Sequence, residues 1–275
     1  MIPRWRFPGH LLLIGAALVF FLFPVYWMVN TAFKPPSEWL TDPPIFFPHP
    51  IVLRNFVDAL NHWNGWKGLK DSLLVSVGTT LIATLLGTSA AYSIARFRTG
   101  GQRLSFTILS LLFLPPVVVA IPMFLVWSQL GLVDTYPALI LQNCVFAVPF
   151  TIWVLQSFLR DVPVAYEESA LVNGASRLRA LVDVVLPMAM PSLVATTLLS
   201  FIFTWNEFTF AVVLSRARIS TLPFILPTMM ESHYVLWGDI AGIALIASLP
   251  VVVLAFALQR YLVRGLSFGT IRAQL

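Results

Sequence analysis

The chain has 275 residues, of which 58% are hydrophobic and 11% charged, with a formal net charge of +5. That composition excludes a soluble globular domain. The arginines are scattered over short segments between apolar runs rather than gathered into a patch, so no nucleic-acid partner is expected.

Runs apolar enough to cross a bilayer, about twenty residues each, occur at 11–33, 72–96, 104–128, 137–158, 191–215 and 240–260. Arginines precede the first run, as in a signal peptide. Its apolar core is too long for one, however, and no small-x-small cleavage site precedes Phe33-Lys34, so it is read as a retained span. With the N-terminus inside, the inner segments hold eleven basic residues: Arg4, Arg6, Arg96, Arg98, Arg103, Arg160, Arg177, Arg179, Arg260, Arg264 and Arg272. The outer segments hold six: Lys34, Arg54, Lys67, Lys70, Arg216 and Arg218. Lys and Arg favour the cytoplasmic side, so both termini are expected in the cytoplasm of a multi-pass cell-membrane protein. The expected fold is all-α, with six transmembrane helices. Trp5, Trp27, Trp63, Trp66 and Trp237 fall near span ends, where aromatic belts form.

The outer segment 34–71 carries Pro35, Pro36, Pro43, Pro44, Pro48 and Pro50, and reads as an extended passage followed by a short helix around Arg54–Asn61. The inner loop 97–103 is brief and basic. Span 104–128 contains Pro115, Pro116 and Pro122, which remove backbone hydrogen bonds and kink the helix. Such a kink borders a cavity in some transporters and is purely structural in other proteins. The loop 129–136 is a tight connection. Cys144, the one cysteine, lies inside a span and reads as a packing residue.

Between the fourth and fifth spans stands the most informative stretch, EESALVNGASRLRALVDVVLP (167–187). Pro163 can open a helix over 164–172, and Asn173-Gly174 supplies a left-handed turn. Ser176 is placed to cap a second helix that Pro187 ends. A surface helix lying on lipid would be rich in Lys or Arg, whereas Glu167 and Glu168 make the first helix acidic. The loop therefore reads as a docking knob for a soluble protein.

In the fifth span, FTWNEFTF puts Asn206 and Glu207 about 22 Å from a cytoplasmic entry near Ser192, at 1.5 Å per residue. An ionisable group at that depth faces a cavity or a partner. Trp205 and Phe208 offer apolar faces for a sugar ring, and the polar pair offers hydrogen bonds. A helix–helix contact through Asn206 and Glu207 is the bland alternative. Asp239 lies at the mouth of the last span, and the tail beyond Arg260 is short and basic.

No GxxxxGK[ST] phosphate loop occurs, since the three lysines precede proline, glycine and aspartate. His10, His49, His62 and His233 have no metal-ligand spacing, so no metal site and no cofactor are expected in this chain. No HExxH or GxSxG is present. An intramembrane enzyme needs a facing pair of polar groups, and adjacent residues on a helix point about 100° apart. The chain reads as non-catalytic.

Glu168-Ser169-Ala170, then three residues, Gly174, nine residues and Val184-Val185-Leu186-Pro187 resemble the EAA motif (EAA-x3-G-x9-I-x-L-P) of the permease subunits of binding-protein-dependent ABC importers. Ser169 replaces the second-position alanine and Val184 the isoleucine. LPPVVVAIPMFLVWSQLGLVDTYPALIL (114–141), AYSIARF (91–97) and the WNEF box look like the carbohydrate-uptake branch. The segments 234–250 and 259–273 are similar to the end of maltose-type (MalG-like) subunits.

The resemblance implies one permease domain over 1–275. Residues 11–33 would be an accessory first span, 70–262 the core, and 163–187 a cytoplasmic coupling helix pair between spans 4 and 5. It implies a heterodimer with a second permease, two cytoplasmic ATPase subunits that bind ATP and magnesium, and an extracytoplasmic solute-binding protein delivering a sugar, an oligo- or disaccharide. Glu167, Glu168, Ala170, Gly174, Ala175, Leu186 and Pro187 would couple to the ATPase, with Glu168 meeting basic or polar groups and Gly174 making the turn. The tail arginines and Gly265–Gly269 would add contacts. Trp205, Asn206, Glu207 and Phe208 would line the substrate path. An ion- or proton-coupled secondary carrier is the alternative, and the lack of an acidic relay beyond Glu207 counts against it.

Overall fold

A computed structural model describes residues 8–230 and 235–267, with the side chains of Pro8, His10 and those beyond Tyr261 left out. Arg4, Trp5, Arg6, His233, Gly269, Arg272 and the side chain of Arg264 therefore lie outside the described residues. Those described form helices and turns: α1 Pro8–Ala32, α2 Arg54–Asn61, α3 Gly65–Phe97, α4 Gly101–Leu111, α5 Pro116–Gln129, α6 Tyr136–Asp161, α7 Val164–Val172, α8 Arg177–Ala180, α9 Leu186–Met188, α10 Met190–Trp205, α11 Thr209–Leu214, α12 Leu222–Ile225 and α13 Trp237–Ser267. Four are long and apolar enough to cross a membrane, and the count reaches six if each of two bent pairs is one span. The all-α expectation holds, and α2 has the bounds read from sequence.

Two spans are less continuous than their hydropathy suggests. The third is broken rather than kinked: α4 and α5 meet at 89° across a short gap. Pro115 there is extended (φ −62°, ψ 127°), as a residue before proline must be, and Pro116 opens α5. The fifth span, expected as one helix over 191–215, stops at Trp205 and resumes at Thr209. Toward its start, α8–α9 turns into α10 at 83°. Pro187, expected to end the second loop helix, lies inside α9. A π-helical turn, Leu181–Val185, precedes it, and Leu186 N–H donates five residues back to Leu181 O. Widening the turn at that point accommodates a proline within the helix.

The chain divides into two compact units, 1–66 with 225–249, and 67–224 with 250–275. In the first unit, α1 leaves most of its apolar side chains exposed. Buried Asn55 of α2 donates to the carbonyls of Ala32 (2.9 Å) and Lys34 (2.8 Å), closing the free end of α1. Trp63 donates to buried Asp239 in the first turn of α13 (3.1 Å).

In the second unit, α3 and α6 carry most of the buried residues. One apolar cluster joins Ala91, Tyr92 and Ile94 of α3 to Leu155 and Leu159 of α6 and to Leu181 and Val185 of the loop, with Ala189 after it. A second, around Val75, Trp127, Leu139, Phe210 and Leu214, involves the other end of α3. Cys144 is buried and free, as a packing residue would be.

The candidate coupling loop and path

The loop is rooted in the helices by charge. Arg96, near the end of α3, donates from Nε to Glu167 Oε2 at 2.9 Å and from Nη2 to Val162 O at 2.9 Å. The Tyr92 hydroxyl donates to Glu167 Oε1, and Arg177 Nη1 stands 3.8 Å from the same oxygen. The side chains of Glu167 and Arg96 are 4% and 5% exposed. At that depth an ion pair is little screened, and an unpaired member is costly. Arg177 also lies over the ring of Phe97, 5.1 Å from its centroid. One carboxylate thus ties together α3, the start of α7 and the start of α8.

The acidic pair does not share one docking face: Glu168 is exposed, while Glu167 is turned inward and saturated by groups of its own chain. Its partner stands roughly seventy positions earlier in the chain. Arg96 is visible in the sequence as a basic residue, but nothing local ties it to Glu167.

The turn after α7 explains the spacing of Ala170 and Gly174. Ala175 N–H donates to Ala170 O and Gly174 N–H to Leu171 O, both at 3.0 Å, which is the double bond of a Schellman cap. Asn173 Nδ2 adds a bond to Ser169 O at 2.9 Å. Gly174 has φ +86°, and a Cβ placed there would meet nothing within 4 Å. The requirement for glycine within this chain is therefore conformational. Ser176 Oγ then accepts from Arg179 N–H at 3.3 Å and caps α8.

Around this turn the loop exposes Tyr166, Val172, Leu178 and Val182, with Val172 88% and Leu178 70% accessible. None of these stands out in the sequence. Ala170, Ala175 and Leu186 are half-buried and Pro187 is exposed.

The WNEF residues differ in burial and in partners. Trp205 is buried and stacked on Phe201, with centroids 5.6 Å apart. Asn206, where α10 ends, folds its Nδ2 back to Ile202 O at 2.8 Å. Phe208 is exposed. Glu207 lies in the break and accepts from Phe210 N–H (2.9 Å) and Ala211 N–H (3.2 Å), capping α11. Of the four, only Glu207 borders a cleft of about 350 Å³ shared with Asn143, Phe146, Phe150, Ser200 and Phe203. The hydroxyl of Ser200 has no hydrogen-bond partner among the described residues. The helix expected to carry Asn206 and Glu207 ends at Trp205, with Asn206 as its C-cap, and the side-chain hydrogen bonds of both residues run to backbone groups within four residues.

A polar clamp with no signature in the sequence lies at the opposite end of α3 from Arg96. Asp71 accepts from Lys67 Nζ (2.8 Å), Tyr136 Oη (2.7 Å) and Ser220 N–H (2.8 Å). Asp134 accepts from the backbone N–H groups of Arg216 (2.9 Å), Arg218 (2.7 Å) and Ile219 (2.9 Å). Burial alone would raise the Asp134 pKa. The three backbone donors, with Lys67 nearby, outweigh it and hold the carboxyl below its ordinary value. Among the described residues no group of His, Cys, Asp and Glu could hold a metal ion.

Residues 83–268 match the family described as binding-protein-dependent transport system inner membrane component. The chain is 30% identical over 273 residues to the trehalose/maltose transport system permease protein MalG of Thermococcus litoralis, covering 96% of this chain and 97% of that one. It is 31% identical over 262 residues to the diacetylchitobiose uptake system permease protein DasC of Streptomyces coelicolor, covering 93% and 95%. Its fold is similar to a chain of a bacterial ABC transporter involved in import of the acidic polysaccharide alginate, with TM-score 0.77, 22% identity and 92% and 95% coverage.

Proposed function

We propose, from the premise that this chain belongs to the family of binding-protein-dependent transport system inner membrane components, that it is the permease subunit of an ATP-driven sugar importer. The relatives MalG and DasC, named for trehalose/maltose and diacetylchitobiose, favour an oligo- or disaccharide. In this reading the chain pairs with a second permease to form the path and takes its solute from an extracytoplasmic binding protein. Two cytoplasmic ATPase subunits, holding ATP and magnesium, power it, and both its termini lie in the cytoplasm.

The observation that carries the reading is the loop 164–188, rigid at its turn and ion-paired at its root. A body that transmits motion must not bend where it is pushed or where it is fixed. The Schellman turn meets the first condition and the Glu167–Arg96 pair the second. Glu168, Val172, Leu178 and the turn at Gly174 are the surface offered to the ATPase, with Ala170 and Ala175 setting the turn. Leu186 and Pro187 carry the motion toward α10. Glu167 acts from within, as a positioning residue. In the path, Glu207 fixes the break between α10 and α11, beside the cleft, while Asn206 and Phe208 present the exposed surface of that break.

The test is reconstitution with the co-expressed ATPase, second permease and binding protein, followed by a screen of disaccharides for stimulated ATP hydrolysis and uptake. Stimulation by a disaccharide is expected. Uptake that persists without ATP and collapses with a proton uncoupler would identify a secondary carrier instead.

A further inference from the structure

A cleft of about 630 Å³ in the second unit lies where α3 ends, α4 begins and α6 ends. Its polar lining includes Arg98 and Arg160, and no carboxylate is among the residues that form it. Neither guanidinium makes an ion pair among the described residues. Gln156 also lines the cleft and is only 6% exposed. Its Oε1 accepts from Ser105 Oγ at 3.1 Å. Two guanidinium groups lining a cleft to which no carboxylate contributes call for an acceptor that carries negative charge. The uncapped first turn of α4 adds its own positive end.

The remaining wall is apolar and open. Phe106 is 69% and Trp153 42% exposed, one from α4 and one from α6. A soluble phosphate would satisfy the polar lining and leave these rings bare, whereas an amphiphile satisfies both. Chain connectivity puts the cleft at the end of the spans from which the 164–188 loop emerges, only two residues after α6. That is the level of a lipid headgroup, and basic pockets between membrane helices suit acidic headgroups.

We propose that this cleft binds an anionic phospholipid. Its phosphate lies against Arg98, Arg160 and the Gln156 amide, and an acyl chain runs along Phe106 and Trp153. Arg98 is two residues from Arg96, so the bound lipid abuts the root of the loop.

Native mass spectrometry of the full-length chain, with the subunits that co-purify, tests this in neutral detergent containing equimolar phosphatidylglycerol and phosphatidylcholine. Retention of phosphatidylglycerol on the order of tenfold above phosphatidylcholine is expected. Arg98→Gln and Arg160→Gln should each reduce it about fivefold, the scale of one basic side chain facing an acidic lipid. Arg160→Lys should keep most of the preference, which guards against a folding artefact. Equal retention of the two lipids, or unchanged retention in both glutamine variants, would overturn the proposal. So would displacement of phosphatidylglycerol by glycerol 3-phosphate at the same concentration, which would identify a site for soluble anions. The assay involves no transport, so its outcome is independent of the sugar reading.

Discussion

Arg96 and Glu167 meet at 2.9 Å, both side chains almost wholly withdrawn from solvent, and join the last turn of α3 to the first turn of α7. Removing one member of such a pair strands the other, at a cost of about 3–5 kcal/mol. Arg96→Ala and Glu167→Ala are each expected to lower the thermal stability of the detergent-solubilised chain strongly. The double variant should lose much less than the sum. Additive losses in that double-mutant cycle would mean that the pair does not hold the loop.

At Gly174 the backbone sets the requirement, because φ is +86° and no atom crowds a Cβ. A left-handed conformation costs an ordinary L-residue about 1–2 kcal/mol, and asparagine tolerates it better than alanine. Gly174→Asn should therefore retain more uptake and more stability than Gly174→Ala, although asparagine is larger. The reverse order in a transport assay would show that a partner packs against this position.

Glu207 separates two roles. As a cap of α11 each of its oxygens accepts one backbone N–H, of which a glutamine oxygen keeps one, and loss of a cap costs about 1 kcal/mol. Glu207→Gln should keep most of the uptake rate, while Glu207→Ala lowers it together with melting temperature. Equal loss of uptake in both variants, with melting temperature intact, would make the carboxylate a solute-contacting group.

The helix bounds of the loop are legible from Pro163, Gly174 and Ser176 because proline, a left-handed glycine and a serine cap act within one turn of chain. The α2 helix is equally local. What the sequence hides is non-local. Hydropathy stays high through Leu112–Pro115, so that break shows only in the hint of Pro115-Pro116, while the polar pair Asn206-Glu207 reads as a site within a helix rather than as its end. Glu167 looks like surface because its partners, Tyr92 and Arg96, lie on another helix. The exposed Val172 and Leu178 look like ordinary helix residues, since exposure is a property of the packed unit and not of the residue.

The Asp134 clamp has a defined pH dependence. Its folded pKa is depressed, so its stabilisation is fully present above the ordinary carboxylate value near 3.9 and is lost as pH falls through the folded value. Amide exchange over 215–219, corrected for intrinsic rate, should show no step between pH 7 and 5. Asp134→Ala should raise tryptic cleavage after Arg216 and Arg218 at pH 8 by roughly tenfold, as a local opening becomes easier. Unchanged cleavage would show that the segment is held by other contacts.

In the proposed function the ion-paired loop links ATP hydrolysis to transport. This link is tested most directly by the ATPase rate of the reconstituted complex with and without sugar-loaded binding protein, for the native chain and for Glu167→Gln. Glutamine keeps the shape and a hydrogen-bonding oxygen but removes the charge opposite Arg96 and Arg177. The expected result is an assembled complex with its basal rate intact and its stimulation reduced on the order of tenfold, the effect of losing roughly 1.4 kcal/mol of coupling. Stimulation equal to that of the native chain would show that the ion pair plays no part in coupling.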